Sequence, residues 1–376
     1  MQIEPFVMER MQSTWENQVE LNLSESGVHP MRLEELVADE GDRRALLRQS
    51  LGYPQTNGTV VLRETIAAMY PGATRNHVEV TNGGAEANFV CSWHLVEPGD
   101  EVVVMVPNYM QVWGLARAFA GAAQVREWPL RQTNDRRWDV DLDMLEHLVT
   151  PRTKVLFICN PNNPTGARLT DRQLDDICRI AGRHGTWVLS DEIYRGAELD
   201  GRDTPSVWGR YERAIVTAGL SKAYGLPGLR IGWLVAPSAL TEALWGYHDY
   251  TTIAPGIIND RLAALALQPA RRAQILERTR GILRANLPLI RKWLDDRGAT
   301  FSYAPPEAGA IVFVHYQHDV NSTDLTTELR QRYGTLIVPG DQFGLDRFLR
   351  IGYGAEEHVL REGLRRLELA LAAHTG

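Results

Sequence analysis

The sequence is short of several things, and each shortage excludes something. No run of residues is both long and apolar enough to span a bilayer, and the opening MQIEPFVMERMQ has no apolar core of signal-peptide length. A cytoplasmic protein with no membrane partner is therefore expected. Only three cysteines occur, Cys91, Cys159 and Cys178, scattered in apolar or helical contexts without metal-site spacing. They read as reduced, buried residues, and no metal is expected. Positive charge is not in excess: 40 Lys and Arg against 47 Asp and Glu leave a net charge of -7. That balance disfavours a nucleic-acid partner. No internal repeat, low-complexity tract or Gly/Ser linker divides the chain.

What is present is an ordinary globular composition, 376 residues with 44% hydrophobic and 23% charged. This length suits one large domain and a smaller one. Residues 1–20 read as a short helical arm, Leu21–Pro30 (LNLSESGVHP) as an extended segment and turn, and Arg32–Arg48 as a helix. From His77 onward the pattern alternates. Short apolar runs at His77–Thr81, Val102–Val106, Val155–Cys159, Trp187–Ser190 and Ala214–Ala218 are separated by helical stretches. Such alternation specifies an α/β fold with a mostly parallel sheet covered by helices on both faces. A long helical region over Pro255–Arg297 follows. A smaller α+β segment comes next, with strands at Thr300–Tyr303, Ala310–His315, Leu336–Val338 and Phe348–Ile351, and a closing helix at Glu356–His374. The expected division is an arm with part of the small domain over 1–45, a large domain over 46–265 and a small domain over 266–376.

In parallel sheets, ligands bind beyond the carboxyl ends of the strands. Asn163, Asp191 and Lys222 each follow an expected strand, so reactive residues recur along one edge. Lys222 is the centre of Gly219–Gly232, GLSKAYGLPGLRIG. Its glycines and proline make the backbone turn tightly. A lysine there, followed by Arg230, suits an amine that forms a Schiff base beside a phosphate gripped by a guanidinium. Gly83-Gly84-Ala85 lies between a strand and the helix Glu86–Leu95, where backbone amides can point at a phosphate. Asn160–Gly166 (NPNNPTG) is a loop stiffened by two prolines.

GLSKAYGLPGLRIG resembles the lysine signature of the class I/II aminotransferases, pyridoxal-phosphate enzymes of fold type I, and further motifs extend the likeness from about Asn22 to Arg350. The resemblance implies a large domain with a mostly parallel sheet and a smaller α+β domain. It also implies pyridoxal 5'-phosphate as cofactor, carried on Lys222 with its phosphate on Arg230, Ser221, Gly84 and Ala85. Gly219 stands where the family often has a serine, so one phosphate contact is missing. Tyr109 is implied as the aromatic stacked on the pyridine ring, Asp191 as the carboxylate at the ring nitrogen, and Asn163 and Tyr194 as partners of the phenolic oxygen. Glu192 is expected to be structural. Arg350 is implied to clamp the substrate α-carboxylate, with Asn163, Gly27 and His29 nearby. Tyr53 in GYPQTNG matches a tyrosine that reaches the neighbouring subunit's phosphate, which implies a homodimer with shared active sites.

The implied reaction is transamination between an α-amino acid and a 2-oxo acid, with Lys222 moving the α-proton. The segments LNLSESGVHP, SKAYGLPGLR and VPGDQFG look closer to the capreomycidine synthase-like subgroup. That likeness gives the alternative: elimination and cyclisation, or oxidation, of an arginine-type amino acid. His29 would then be a second acid/base, as against a turn histidine before Pro30. Trp15, Glu16, His29 and Tyr250 hint at a polar or cationic substrate. A cofactor-sensing regulator is a third class, but no residues remain for a DNA-binding module.

Overall fold

The computed structural model describes residues 3–374. Met1, Gln2, Thr375 and Gly376, at the ends of the expected arm and small domain, lie outside the described residues.

Seven strands form the main sheet in the order Val78–Thr81, Gly232–Val235, Ala214–Gly219, Trp187–Asp191, Thr153–Cys159, Glu101–Val106, Val125–Pro129. Gly232–Val235 runs antiparallel to both neighbours, and the other pairings are parallel. The central strands read as continuous apolar runs because they bury both faces. Val103, Leu156, Val188 and Val216 enter one hydrophobic core, while Val102, Val155, Leu189 and Ile215 enter the other. This is the two-residue alternation of strand side chains.

A second sheet, all antiparallel, runs Phe301–Tyr303, Ile311–Tyr316, Phe348–Gly352, Val338–Pro339. The helices Pro269–Asp295, Ser322–Tyr333 and Glu357–Ala372 belong to the same part of the chain. The N-terminal segment returns to it: Leu21–Asn22 pairs in parallel with Thr335–Leu336, and Gly352 N donates to Leu23 O at 2.7 Å. The next residues, 24–29, are thereby laid beside the edge of the main sheet that carries Lys222.

Four expected elements differ. The helix over Arg32–Arg48 is two, Leu33–Leu36 and Glu40–Leu47, because Asp39 caps a new start by accepting from Gly41 N and Asp42 N at 2.8 and 3.0 Å. The helix over Pro255–Arg297 is also two, Ile257–Ala266 and Pro269–Asp295. Pro269 lacks the amide needed to continue the first and suits the opening of the second. The arm's helix is confined to Val7–Trp15. Leu336–Val338 is split between two sheets as Thr335–Leu336 and Val338–Pro339. Two strands of the main sheet went unread, as did the two-residue pair Arg131–Gln132 and Trp138–Asp139. Val125–Pro129 is a sheet edge carrying Arg126 and Glu127, and Gly232–Val235 is only four residues long.

Candidate active site

A cavity of about 530 Å³ opens at the carboxyl edge of the main sheet, where it meets the second sheet and the N-terminal helix. Lys222, Asp191, Tyr194, Asn163, Tyr109, Gly84, Ala85, Ser221, Arg230 and Arg350 all line it. Residues up to 266 positions apart in sequence thus share one wall system.

One end is built by backbone. Gly83 (φ +94) turns the chain into the helix Gly84–Leu95. A Cβ on Gly83 would lie 2.4 Å from Arg230 Nη2, and one on Gly232 would lie 2.3 Å from Gly84 N. Only glycine lets these two strands and the guanidinium close in this way. Arg230 itself takes a left-handed φ of +47 and approaches Ser221 Oγ at 3.5 Å. Helix-start amides, a hydroxyl and a guanidinium share this concavity, a donor set that fits a phosphate.

The centre holds Asp191, Lys222 and Asn88. Asn88 Nδ2 donates to Asp191 Oδ2 at 3.0 Å, and Ile193 N donates to Oδ1 at 3.1 Å. Thr217 Oγ fixes the Asn88 amide at 2.7 Å. Burial pushes the Asp191 carboxyl up from its ordinary value, with these hydrogen bonds and Lys222 opposing. Lys222 Nζ donates to Glu25 Oε1 at 2.5 Å. Burial works against the Glu25 charge, but Lys222 and the Gly27 amide overcome it and hold the carboxyl at about 2.

At the far end Arg350, 1% exposed, donates to Asn163 Oδ1 at 3.0 Å and to Ser24 O at 2.6 Å. Its Nε has no partner among the described residues. Burial is the main influence lowering its pKa. Tyr194 OH donates to Ser26 Oγ at 2.9 Å, and Tyr109 OH donates to Glu9 Oε2 at 3.2 Å. Burial raises both phenols.

Three expected residues stand elsewhere. Gly27 lies behind Lys222, where an added Cβ would come 3.5 Å from the Lys222 Cα. His29 is absent from the wall; its Nδ1 is 3.2 Å from Arg278 Nη2, and burial, then Arg278, lowers its pKa. Tyr53 is 89% exposed and outside the cavity. Glu192 is buried away from it, accepting from Ser206 Oγ at 2.8 Å and Val207 N at 3.1 Å, with burial raising its carboxyl to about 7. Sequence reasoning missed Asn88, Glu25 and Glu9. Asn88 sits one helical turn past the Gly-Gly start, a spacing that was available as a signal. Nothing local marked the two glutamates.

The model of class I and II aminotransferases matches residues 20–367. The chain is 31% identical to capreomycidine synthase of Streptomyces vinaceus, over 95% of this chain and 91% of that one. Among solved structures it resembles a PLP-dependent aminotransferase from Streptococcus suis 89-1591, with a TM-score of 0.92 and 33% identity over 100% of both chains. It also resembles the PLP-dependent cyclase OrfR, with a TM-score of 0.88 and 27% identity over 99% and 98% of the two chains.

Proposed function

The chain belongs to the class I and II aminotransferases and is a pyridoxal-phosphate-dependent enzyme that transfers the amino group of an α-amino acid, and on that premise we propose how its own residues divide the work. When bound, pyridoxal phosphate supplies an aldehyde for the amine and a protonated ring that accepts the electrons of the α-carbon. The cavity suits it, with a glycine-built anion cradle at one end and a buried carboxylate deep in the middle.

Gly84, Ala85, Ser221 and Arg230 hold the phosphate. Asp191, oriented by Asn88, would keep a proton at the ring nitrogen, and Tyr109 would lie against the ring. Asn163 and Tyr194 hold the ring oxygen. Lys222 Nζ would anchor the group, and its free amine would be the base that takes the proton from the substrate α-carbon. Arg350, whose buried Nε is unpaired, binds the α-carboxylate in bidentate fashion and excludes simple amines. The observation that carries the reading is that Asp191, Lys222 and Arg350 line one cavity.

A second copy of the chain is the proposed partner. Leu47, Leu51 and Tyr53 are 87%, 80% and 89% exposed, and a homodimer would cover them and bring Tyr53 to the neighbouring phosphate. The division at residues 45 and 265 belongs to the same proposal. So does a cytoplasmic location; no helix among the described residues is long and apolar enough to cross a membrane.

One observation favours a second reading. Glu9, Glu16 and Glu25 line the cavity together, and burial, then Glu25 and Glu9, raise the Glu16 carboxyl. With Arg230 on the phosphate and Arg350 on the carboxylate, these acids suit a cationic side chain. That supports an arginine-type substrate, with elimination and cyclisation as the chemistry; a PLP-dependent cyclase, OrfR, is among the chain's structural neighbours. Product identity by mass spectrometry decides. The purified holoenzyme is given common amino donors, arginine and hydroxyarginine. Keto acids from common donors support transamination. Inertness toward them, with a cyclised product from an arginine derivative, supports the second reading.

A further inference from the structure

Outside the cavity, the structure buries a histidine between two carboxylates, and the reaction assigned above uses none of the three. His248 closes the helix Ser238–His248 and is 0% exposed. Its Nδ1 lies 3.1 Å from Glu79 Oε1, and its Nε2 lies 3.4 Å from Glu86 Oε2. Glu79 is on the strand Val78–Thr81 and is also 0% exposed; Glu86 is in the first turn of the helix Gly84–Leu95. A buried carboxyl needs a cation beside it or a proton of its own; burial raises the Glu79 carboxyl, and His248 opposes that shift. Burial would lower the His248 pKa, but Glu79 and Glu86 outweigh it and raise it to about 9. The other titratable groups facing the cluster are Asp249, next in the chain, which acts on Glu79, and Cys91 on the Glu86 helix, which is itself raised by burial and by Glu79.

The cluster is fastened to the turn that precedes Gly83 and Gly84. Glu86 Oε2 accepts from Asn82 N at 2.6 Å, and Glu86 Oε1 accepts from Thr252 Oγ1 at 2.8 Å. Asn82 Nδ2 donates to Thr252 Oγ1 at 2.6 Å and to Ala254 O at 3.3 Å, and His248 Nε2 lies 3.2 Å from the same threonine oxygen. The loop so held has Ile253 at φ +69. A β-branched residue rests there only where its surroundings enforce it. His248, Thr252, Asn82 and Glu86 are those surroundings.

We propose that His248, as an imidazolium, is a positioning residue for the cofactor phosphate. Through Glu86 and Thr252 it pins Asn82 to the strained loop, so the amides that follow stay aimed at the anion. Deprotonation of His248 leaves two carboxylates without their cation, and the turn loosens. The proposal rests on the reading that the turn after Asn82, with Arg230, holds the phosphate.

The test measures pyridoxal-phosphate release from diluted holoenzyme between pH 6 and 10, for wild type, His248→Gln, Thr252→Val and Arg230→Ala. Wild type should release slowly up to about pH 8 and faster as pH passes the His248 value near 9. His248→Gln should release about 10-fold faster below about pH 8, without that break, so that the two profiles converge toward pH 10, since its ion-pair contacts with Glu79 and Glu86 are lost. Thr252→Val should release about 3-fold faster and keep the break. A His248→Gln profile that matches wild type overturns the proposal, as does a wild-type profile without a break. If His248→Gln does not fold, Thr252→Val decides, and an unchanged release rate overturns the proposal. Arg230→Ala probes the underlying reading separately. If it releases no faster than wild type, the phosphate site is misassigned, whatever the His248 variants do.

Discussion

The two ends of the cavity are made differently. At the end proposed to hold the phosphate, the main chain does the shaping. Gly83, Gly219 and Gly232 let neighbouring strands close in register, with Gly232 paired to both Thr81 and Gly219, and Arg230 fills the space a Cβ on Gly83 would need. At the end proposed for the substrate, side chains do it. Glu9, Gln12, Glu16 and Glu25 come from the N-terminal helix and the segment after a two-residue strand. They are fixed by contacts such as Gln12 Nε2 to Ser24 O at 3.0 Å and Arg350 to the same carbonyl. A backbone-built end tolerates few changes and sets which cofactor is held. A side-chain-built end can be rewritten by substitution and sets which amino acid enters.

The strongest test of this division is at the point where the ends meet. Lys222→Ala should abolish turnover, by about 10⁴-fold or more, because both the anchoring amine and the base are removed. Pyridoxal phosphate should still bind through the phosphate end, measured by equilibrium dialysis. Loss of binding together with turnover would break the comparison, since the glycine-built end would then not hold the cofactor alone. Asp191→Asn comes next. It keeps the shape and the Asn88 neighbour but removes the charge at the ring nitrogen, so kcat should fall about 10³-fold with KM little changed. Steady-state kinetics with saturating cofactor checks this.

The same difference explains what could be read in the sequence. The phosphate end was legible because its residues lie within short segments, Asn82–Ala85 and Gly219–Gly232, whose glycines and arginine signal their own purpose. The sheet was legible because its central strands are buried on both faces. The substrate end was legible only in part: Asn163, Arg350 and Glu16 were named and line the cavity, while Glu9 and Glu25 were not. Glu25 meets Lys222 only because Leu21–Asn22 pairs with Thr335–Leu336, a contact between segments more than 300 residues apart with no periodicity to announce it. Glu9 is one acid in a helix with ordinary charge. His29 was singled out by its type and its loop, yet the backbone bond from its amide to Gly354 O at 2.8 Å sets it beside Arg278.

Smaller effects should come from the acids. In Glu9→Gln/Glu16→Gln, kcat/KM for cationic amino donors should drop about 10-fold while neutral donors change little, the size of one or two lost charge contacts. Equal losses for both donor classes would assign these residues to packing and remove the support for an arginine-type substrate. Glu25 adds a pH signature. Its carboxyl is held below the ordinary range, at about 2, so its contribution to stability is present above about 4.5 and lost as pH falls toward 2. Glu25→Gln should therefore flatten that part of the acid limb of a thermal-denaturation profile. An unchanged acid limb would mean that the Lys222 contact does not hold in solution.

The smallest expected effect is at His29, and it sharpens the comparison most finely. His29 borders the substrate end in sequence, four residues after Glu25, but the structure turns its ring outward to accept from Arg278 of the helix Pro269–Asp295. Burial and that guanidinium both favour the neutral ring, so it is a poor proton donor at neutral pH. His29→Ala should lower kcat by less than about 3-fold and cost about 1 kcal/mol of stability, the worth of one hydrogen bond. Denaturant titration and kinetics with both common and arginine-type donors measure the two quantities side by side. A loss of about 10² or more in rate, at unchanged stability and with a change of product, would mean that His29 turns into the cavity during turnover. The substrate end would then hold a second acid/base, the chemistry that elimination or oxidation needs and transamination does not.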